Sequence, residues 1–479
     1  MFTKKSDYSI LSLILGLGIL YLLFPSINPS GDTVTYAGNI RSGDELFYPH
    51  HLLYNAFYYL FAELLGSGNT LRLICAGNAL FAAGCLFLVN AILSSAVERK
   101  MRAAVILLLG SCFGFMRYAT TGETYIVPLF FLLAGSFLAF RKKNVFWVAL
   151  PASIACLFHQ ICIFWWLGLL LFILMSDNRK WFRALTVYGF TSCIIPAVYL
   201  LVFYLTENDA SSIYDYLVHD YTHSEGVDFS VKTKAFLLTP INLIRTFYQV
   251  HGYILPLVQK YSFLIIFGCI SGLLAIAGCI RWRKRSVGVN AVSFERKFAL
   301  IHLVIFGLQL LFAFMSDGNA EFMVMLPFEL ALFVFFYYRV QRFPVALFAA
   351  SLFIWNTAIG LLPMHFVEVT TQPALSRYIE QHPENIYYIR DRQTVNSYLE
   401  YRDPQKAYSI FQIKPGREVF LDSLLQHHPC VITDLFSPLA MSRAALVAPG
   451  MKLPSDMNIC NQDTLPFDLG FFVLTEIRP

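Results

Sequence analysis

The feature that most constrains this chain is a run of 33 residues, Asn144 to Ser176, that contains no Asp, Glu, Lys or Arg. Stretches of about 18 or more apolar residues are typical of membrane-spanning helices. The whole chain shares this character, because 57% of its 479 residues are hydrophobic and 14% are charged, against about 25% charged in soluble domains. The sequence therefore predicts a multi-pass α-helical membrane protein.

The same run also predicts a turn. One straight helix of 33 residues would be roughly 50 Å long, whereas the hydrocarbon core of a bilayer is about 30 Å thick. Basic clusters flank the run, "RKK" at 141–143 and "DNRKWFR" at 177–183, and such clusters favour the cytoplasmic side. Two short helices that turn near His159 keep both clusters in the cytoplasm, so we expect a hairpin there.

Hydrophobic runs and charge placement together predict the topology. With the hairpin, we expect about 11 transmembrane helices, a cytoplasmic N-terminus, an extracytoplasmic C-terminus and the bacterial inner (plasma) membrane as the location. This arrangement places 19 Lys and Arg in the cytoplasm and seven in external loops and outer helix ends, as orientation by positive charge requires. No basic arm or aromatic-basic motif accompanies the net charge of +5, so we expect no nucleic acid partner. The runs lie at 8–24, 71–94, 102–118, 123–140, 145–176, 182–206, 253–280, 298–315, 320–338 and 343–362.

Two domains are predicted, a transmembrane domain at 1–363 and a small extracytoplasmic α/β domain at 364–479. External loops at 26–70 and 206–252 interrupt the first domain, and the second of these loops is long enough to act as a lid. Within loop 26–70, "HHLLYNAFYYLFAELLG" at 50–66 has apolar residues at helical spacing and predicts an amphipathic helix in the membrane interface. Eight cysteines lie in hydrophobic segments, and the plausible disulfide joins Cys430 to Cys460.

Polar residues then converge on the outer face. Ionisable groups near hydrocarbon are costly and mark functional sites, so we predict a site that opens to the exterior. Its candidate residues are Asp32, Tyr36, Asp44, Glu45, His50, His51, Arg72, Arg117, Glu123 and His159.

Structural alternatives exist for these candidates. Asp32 in "PSGD" also suits a turn, and Thr120 with Glu123 matches a Thr-x-x-Glu capping box at a helix start. Arg72 and Arg117 also fit residues that extend to lipid headgroups. The remaining alternatives are a backbone-satisfying role for His159 and interface placement of His50 and His51. For Asp317 and Glu321, in the late outer turn, a solvated loop position is favoured.

The order of these features resembles the GT-C superfamily. These membrane glycosyltransferases use polyprenyl-phosphate-linked sugars and include protein mannosyltransferases and the aminoarabinose transferase of lipid A. The resemblance begins with an early acid, a tyrosine, a histidine-containing helix start, a glycine and an Arg-Leu pair. It continues with Glu123, the hairpin at His159 and a late "NAEFMVMLPF" turn. Thr33 stands where relatives place a second acid. The residues that carry the first part are Asp32, Tyr36, "YPHHLLY", Gly66 and "LRL" with Arg72.

The resemblance implies transfer of a hexosyl or pentosyl group from a polyprenyl-phosphate donor to a glycan, lipid or protein acceptor. Asp32 is the expected base, because a carboxylate can take the proton of the acceptor hydroxyl, and a single displacement would invert the anomeric carbon. Cationic donors would stabilise the leaving phosphate; His50, His51, Arg72 and His159 are the candidates.

Glu123 would orient the acceptor or support a divalent metal, which the sequence permits but does not require. Tyr36, Asp44, Glu45 and Arg117 would contact the acceptor or brace the loop. A transporter or flippase of lipid-linked glycans, or a polymerase of them, is the alternative function. Transporters place ionisable residues near the bilayer midplane, whereas here they gather at one surface.

Overall fold

The computed structural model describes residues 8–176, 181–206, 210–222, 233–250, 252–283, 293–338, 342–413, 418–437 and 458–478. Parts of the predicted loop 206–252 (207–209, 223–232 and 251) and the basic residues at 177–180 lie outside that range. The described chain forms two compact units. The helical unit comprises 1–25, 39–252 and 263–362, and the sheet unit comprises 26–38, 253–262 and 363–479.

Helices dominate the chain. They are α1 (Tyr8–Leu23), α2 (Gly31–Ser42), α3 (Tyr54–Leu65), α4 (Thr70–Leu93), α5 (Arg99–Gly110), α6 (Phe113–Ala119), α7 (Ile126–Phe140), α8 (Val145–Phe158), α9 (Ile163–Ser176), α10 (Trp181–Ser192), α11 (Ile194–Leu205), α12 (Ile213–Thr222), α13 (Thr233–Phe247), α14 (Ile254–Lys260), α15 (Leu264–Arg283), α16 (Ser293–Met315), α17 (Leu326–Tyr337), α18 (Arg342–Trp355), α19 (Leu362–Phe366), α20 (Gln372–Gln381), α21 (Arg392–Arg402) and α22 (Glu418–His427). Shorter 3-10 turns lie at Pro49–His51, Gln160–Cys162 and Ala320–Met323, and a π-helical turn lies at Asn356–Leu361.

The predicted class, a multi-pass helical membrane protein, is confirmed. In the part of the chain that the structure describes, six helices are long and apolar enough to cross a membrane, or seven if the bent pair α5 and α6 counts as one span. Four shorter apolar helices accompany them, among them the two on either side of His159. The predicted turn near His159 is present between α8 and α9, and the total of 11 crossings stays a prediction.

One predicted helix, 102–118, is broken in the structure. Helix α5 ends at Gly110 and α6 begins at Phe113, with a bend of 68° between them. The buried side chain of Asn356 holds this break, because its Nδ2 donates to the carbonyl oxygen of Ser111 at 2.7 Å. A side-chain donor is needed here because a break in a helix leaves backbone carbonyl groups without their usual hydrogen-bond donors.

Three further expectations differ from the structure. The segment at 50–66 enters its helix only at Tyr54, because the histidines occupy a 3-10 turn and Leu53 N–H donates to Leu157 O. The run at 253–280 is two helices, α14 and α15. Finally, loop 26–70 contains a full helix, α2, whose start is capped by Ser30: its Oγ accepts from Thr33 N–H at 3.1 Å.

The sheet unit contains the predicted small α/β fold. Its strands are β1 (Ile386–Ile389), β2 (Ser409–Gln412), β3 (Val431–Thr433), β4 (Asn458–Phe467) and β5 (Gly470–Arg478), in the order β2-β1-β3-β5-β4. β1 is parallel to β2 and β3, whereas β5 is antiparallel to β3 and β4. Helices α20 and α21 contribute to one apolar cluster on the sheet and α22 to another. Tyr387 of β1 belongs to the first cluster and Tyr388 to the second. Consecutive side chains of a strand point to opposite faces of the sheet, so the helices cover opposite faces.

Cys430 and Cys460 are not joined by a disulfide bond, which corrects the pairing considered from the sequence. Cys430 immediately precedes β3 and Cys460 lies at the register shift in β4, whereas β5 separates these two strands. Neighbouring strands are about 4.8 Å apart, so the two backbones are separated by about 10 Å, against an upper limit of about 6.8 Å between the Cα atoms of a disulfide.

We predict that Gly77→Ala destabilises the helical unit. A Cβ atom at Gly77 would lie 2.4 Å from Cε1 of the Tyr58 ring, and that ring is held because its hydroxyl donates to Asn78 Oδ1 at 3.0 Å. Overpacking of this kind costs about 1–3 kcal/mol, measurable as a lower midpoint of thermal unfolding of the purified protein. Gly307→Ala is the control, because a Cβ there meets nothing within 4 Å; equal midpoints for the two variants would contradict the prediction.

Candidate functional site

Three of the predicted phosphate-binding residues form a histidine cluster in the helical unit. The rings of His50 and His51 are stacked with centroids 4.0 Å apart. The ring of His159, at the turn between α8 and α9, lies 6.2 Å from His50 and 6.5 Å from His51. The structure therefore brings together residues separated by more than one hundred positions in the chain.

The electrostatic state of this cluster differs from the expectation. Burial, and to a smaller extent the nearby His50, lowers the pKa of His159 to about 3. Burial also holds the pKa of His51 well below its usual range, with smaller contributions from His50 and His159. His51 and His159 are therefore neutral at pH 7 in the protein without ligand, and their role as cationic donors to the leaving phosphate stays a prediction.

Neutral His159 has a defined tautomer. Its Nδ1 accepts a hydrogen bond from Ile161 N–H at 3.3 Å, so the ring proton is on Nε2. The structural alternative for His159 was that it donates to a freed carbonyl, whereas the observed bond has the imidazole as acceptor. Its Nε2–H is a donor suited to an oxygen of a phosphate group.

The turn that carries Glu123 is fixed by a buried asparagine. Asn78 Nδ2, from α4, donates to the carbonyl oxygens of Thr121 at 2.8 Å and Glu123 at 2.7 Å. Tyr54 adds a bond from its hydroxyl to Gly122 O at 2.9 Å. Buried peptide groups need such partners, so α4 and the segment after the 3-10 turn determine where Glu123 lies.

Glu123 is not part of a capping box. Thr120 ends α6 rather than starting α7, because its Oγ1 donates back to Met116 O at 3.1 Å and Arg117 O at 3.0 Å. Helix α7 starts only at Ile126. The interpretation of Glu123 as a capping residue is therefore wrong.

A second carboxylate and two arginines join Glu123 around one tyrosine. The Tyr118 hydroxyl interacts electrostatically with Glu123, Glu321, Arg117 and Arg245, and we call these five residues the polar cluster. Sequence reasoning assigned Glu321 to a solvated loop and did not select Arg245 or Tyr118. Glu321 could have been selected from its position in the late turn before Leu-Pro. No sequence motif around Arg245 indicates that it belongs to the site.

Tyr125 connects the polar cluster to the histidines. Its hydroxyl donates to Glu321 Oε2 at 3.3 Å, and its ring lies 4.9 Å from the ring of His159. Phe322 completes the contact, with its ring 6.4 Å from that of His159. The helical unit thus has one continuous polar region, made of imidazoles, guanidinium groups and carboxylates.

Other predicted residues lie elsewhere. Arg72 is exposed in the first turn of α4, where Asn69 Oδ1 accepts from its backbone N–H at 3.0 Å, and within the described chain no hydrogen bond or ion pair joins it to the histidine cluster. Asp44 is exposed. Glu45 braces its loop, because its Oε2 accepts from the Tyr48 hydroxyl at 2.8 Å.

Asp32 and Tyr36 belong to the sheet unit. Asp32 is exposed in the first turn of α2 rather than in an open turn, and Tyr36 is buried one helical turn further on. The described residues contain no group of three His, Cys, Asp or Glu residues placed to hold a metal ion.

Comparison with solved structures identifies the class of fold. The chain has the GT-C fold: it is similar to ArnT from Cupriavidus metallidurans bound to undecaprenyl phosphate, with a TM-score of 0.56, 11% identity and coverage of 99% of this chain and 98% of that one. The oligosaccharyltransferase of Archaeoglobus fulgidus gives a TM-score of 0.47 at 11% identity over 89% of this chain and 68% of its own. No protein-family model matches the chain, and no curated protein matches its sequence. The resemblance inferred from the sequence is thus confirmed at the level of fold.

We predict that acid destabilises the helical unit through His159. A histidine with a pKa near 6.5 when unfolded and about 3 when folded binds more protons when unfolded, so the free energy of unfolding decreases as the pH falls from about 6.5 towards 3. Midpoints of thermal unfolding between pH 7.5 and 4.5 should therefore decrease with acidity.

His159→Asn should make this decrease shallower, because Asn keeps an acceptor for Ile161 N–H without titrating. The control is His427→Asn at an exposed position, which should keep the pH dependence of the unaltered protein. Identical pH dependence in His159→Asn would contradict the assignment.

Proposed function

We propose that this protein is a glycosyltransferase that moves a sugar from a polyprenyl-phosphate donor to a glycan, lipid or protein acceptor. The observation that carries the proposal is the continuous region of histidine and polar clusters within a GT-C fold. The similar ArnT structure was solved with undecaprenyl phosphate bound, which supports the same class of lipid for this chain. We place the reaction on the outer face of the bacterial inner membrane, with the C-terminal α/β domain extracytoplasmic.

The donor phosphate fits the imidazoles and guanidinium groups of the helical unit. The phosphate starts anionic and gains charge as the sugar leaves, so donors aimed at its oxygens stabilise the transition state. His159 can supply Nε2–H, and Arg117 and Arg245 add fixed positive charge. A bound phosphate would also favour protonation of the buried imidazoles, because an opposite charge nearby favours the charged form.

The acceptor hydroxyl needs a base, and Asp32 remains our proposed residue. As an exposed carboxylate at the start of a helix, it is accessible to an acceptor from solution. Proton removal by a positioned carboxylate contributes about 10²–10⁴-fold in rate, and direct displacement inverts the anomeric carbon. Glu123 would orient the acceptor or, together with Glu321, support a divalent metal if one is used.

Asp32→Asn should lower the transfer rate by about 10²–10⁴-fold, because the amide cannot take the hydroxyl proton. The measurement is transfer from a polyprenyl-phosphate sugar by the full-length protein in lipid nanodiscs, with the acceptor supplied as a membrane extract. Asp403→Asn is the control: Asp403 is also exposed and belongs to the same unit as Asp32, and its variant should keep the normal rate. Full activity of Asp32→Asn would remove it as the base.

His50→Ala should weaken inhibition by undecaprenyl phosphate, because it removes a hydrogen-bond donor from the histidine cluster. Hydrogen bonds to charged groups contribute about 1.5–3 kcal/mol, so the inhibition constant should rise about tenfold or more. The measurement is a titration of the transfer reaction with the free lipid phosphate. His365→Ala, outside the cluster, should leave the constant unchanged; an unchanged constant in His50→Ala would exclude this residue from the phosphate site.

A further inference from the structure

The segment at 26–38, which we call the Asp32 segment, packs within the sheet unit. Asn28 fixes its start. The buried Asn28 Nδ2 donates to Met364 O at 3.0 Å and Val367 O at 2.8 Å, and its Oδ1 accepts from Val369 N–H at 2.8 Å. This one side chain makes three hydrogen bonds to backbone groups at 364–369, within the sheet unit.

Helix α21 fixes the other side of the segment. Tyr398 donates from its hydroxyl to Pro29 O at 3.0 Å, and the hydroxyls of Thr35 and Ser397 are 2.8 Å apart. The helix also approaches closely at Gly31, where a Cβ atom would lie 3.2 Å from Cα of Thr394. Glycine at 31 therefore permits the contact with α21 next to Asp32.

Helix α21 is itself held firmly. Its buried residues Val395 and Leu399 belong to the same apolar cluster as Ile389 of β1 and Ile379 of α20. Its first turn is capped, because Asp391 Oδ1 accepts from Thr394 N–H at 3.2 Å. Side chains on a rigid element hold a site more accurately than side chains on loops, so α21 can act as a fixed reference for the Asp32 segment.

We propose that Asn28, Ser397 and Tyr398 are positioning residues that hold Asp32 in its reactive place. The inference rests on the proposed function of Asp32. The contacts lie on both sides of Asp32 in the sequence, at Asn28 and Pro29 before it and at Thr35 after it. These contacts determine where the backbone of Asp32 lies.

The first experiment tests the contact itself, without reference to activity. Thr35→Cys with Ser397→Cys places two thiols where hydroxyls are 2.8 Å apart, within reach of the geometry of a disulfide. In native membranes a mild oxidant should cross-link most of the full-length protein, detected as a reducible shift in gel mobility. Ser397→Cys alone is the control and should show none. Failure of the double variant to cross-link would overturn the docking.

The second experiment tests positioning. Asn28→Ala should lower kcat about 10- to 100-fold, because displacement of a reacting group by about 1 Å has effects of that size. KM for the lipid donor should stay close to its normal value, because the proposed phosphate-binding histidines belong to the helical unit and Asn28 does not. Asn396→Ala, on α21, should keep the normal kcat. If Asn28→Ala is poorly folded, Tyr398→Phe serves instead, since it removes only the hydroxyl that donates to Pro29 O.

Rescue by cross-linking separates positioning from a general structural role. In the triple variant Asn28→Ala, Thr35→Cys, Ser397→Cys, oxidation should restore most of the lost kcat, and reduction should remove it again. Normal kcat in folded Asn28→Ala, or no gain on oxidation, would overturn the inference. If the cross-link forms but Asp32→Asn is fully active, the proposed base is wrong whereas the docking of the segment stands.

Discussion

Buried asparagine side chains satisfy the backbone at three places where this chain departs from regular helix, and the positions of its polar residues depend on them. A peptide group that leaves a helix inside an apolar environment must find another partner. Asn356 supplies one at the α5–α6 break and Asn78 at the turn of Glu123. Asn28 does the same where the Asp32 segment meets the chain entering the sheet domain. An amide suits this task because it both donates and accepts without carrying a charge.

These asparagine contacts explain how an apolar protein can hold ionisable residues in its interior. The turn of Glu123 is irregular backbone, which would be unstable without Asn78 and Tyr54. Once the turn is fixed, Glu123 belongs to the polar cluster around Tyr118, which also contains Arg117 and Arg245. Opposite charges in one cluster offset part of the cost of burying a charge. The buried histidines avoid the cost of burying a charge in another way, because His51 and His159 stay neutral when no ligand is bound.

Part of this arrangement could be predicted from the sequence. The turn at His159 followed from basic clusters on both sides of an uncharged run, because charge placement in membranes obeys strong rules. Helix α2 was missed because its residues are polar on average and its start at Ser30 resembles any turn. The contribution of Arg245 depends on packing between distant helices, and the absence of a Cys430–Cys460 disulfide depends on strand order. Neither feature can be predicted from neighbouring residues in the sequence.

Exposure of Asp32 and burial of Glu123 favour different tasks for the two acids. A base must reach the acceptor and later release its proton, which suits a carboxylate open to solvent. Glu123 is buried in the polar cluster, and a carboxylate fixed in this way suits the orientation of an acceptor. The backbone position of Asp32 is determined by contacts that its neighbours in the sequence make. Asn28, Gly31 and Thr35 provide that place through contacts with Met364, Thr394 and Ser397.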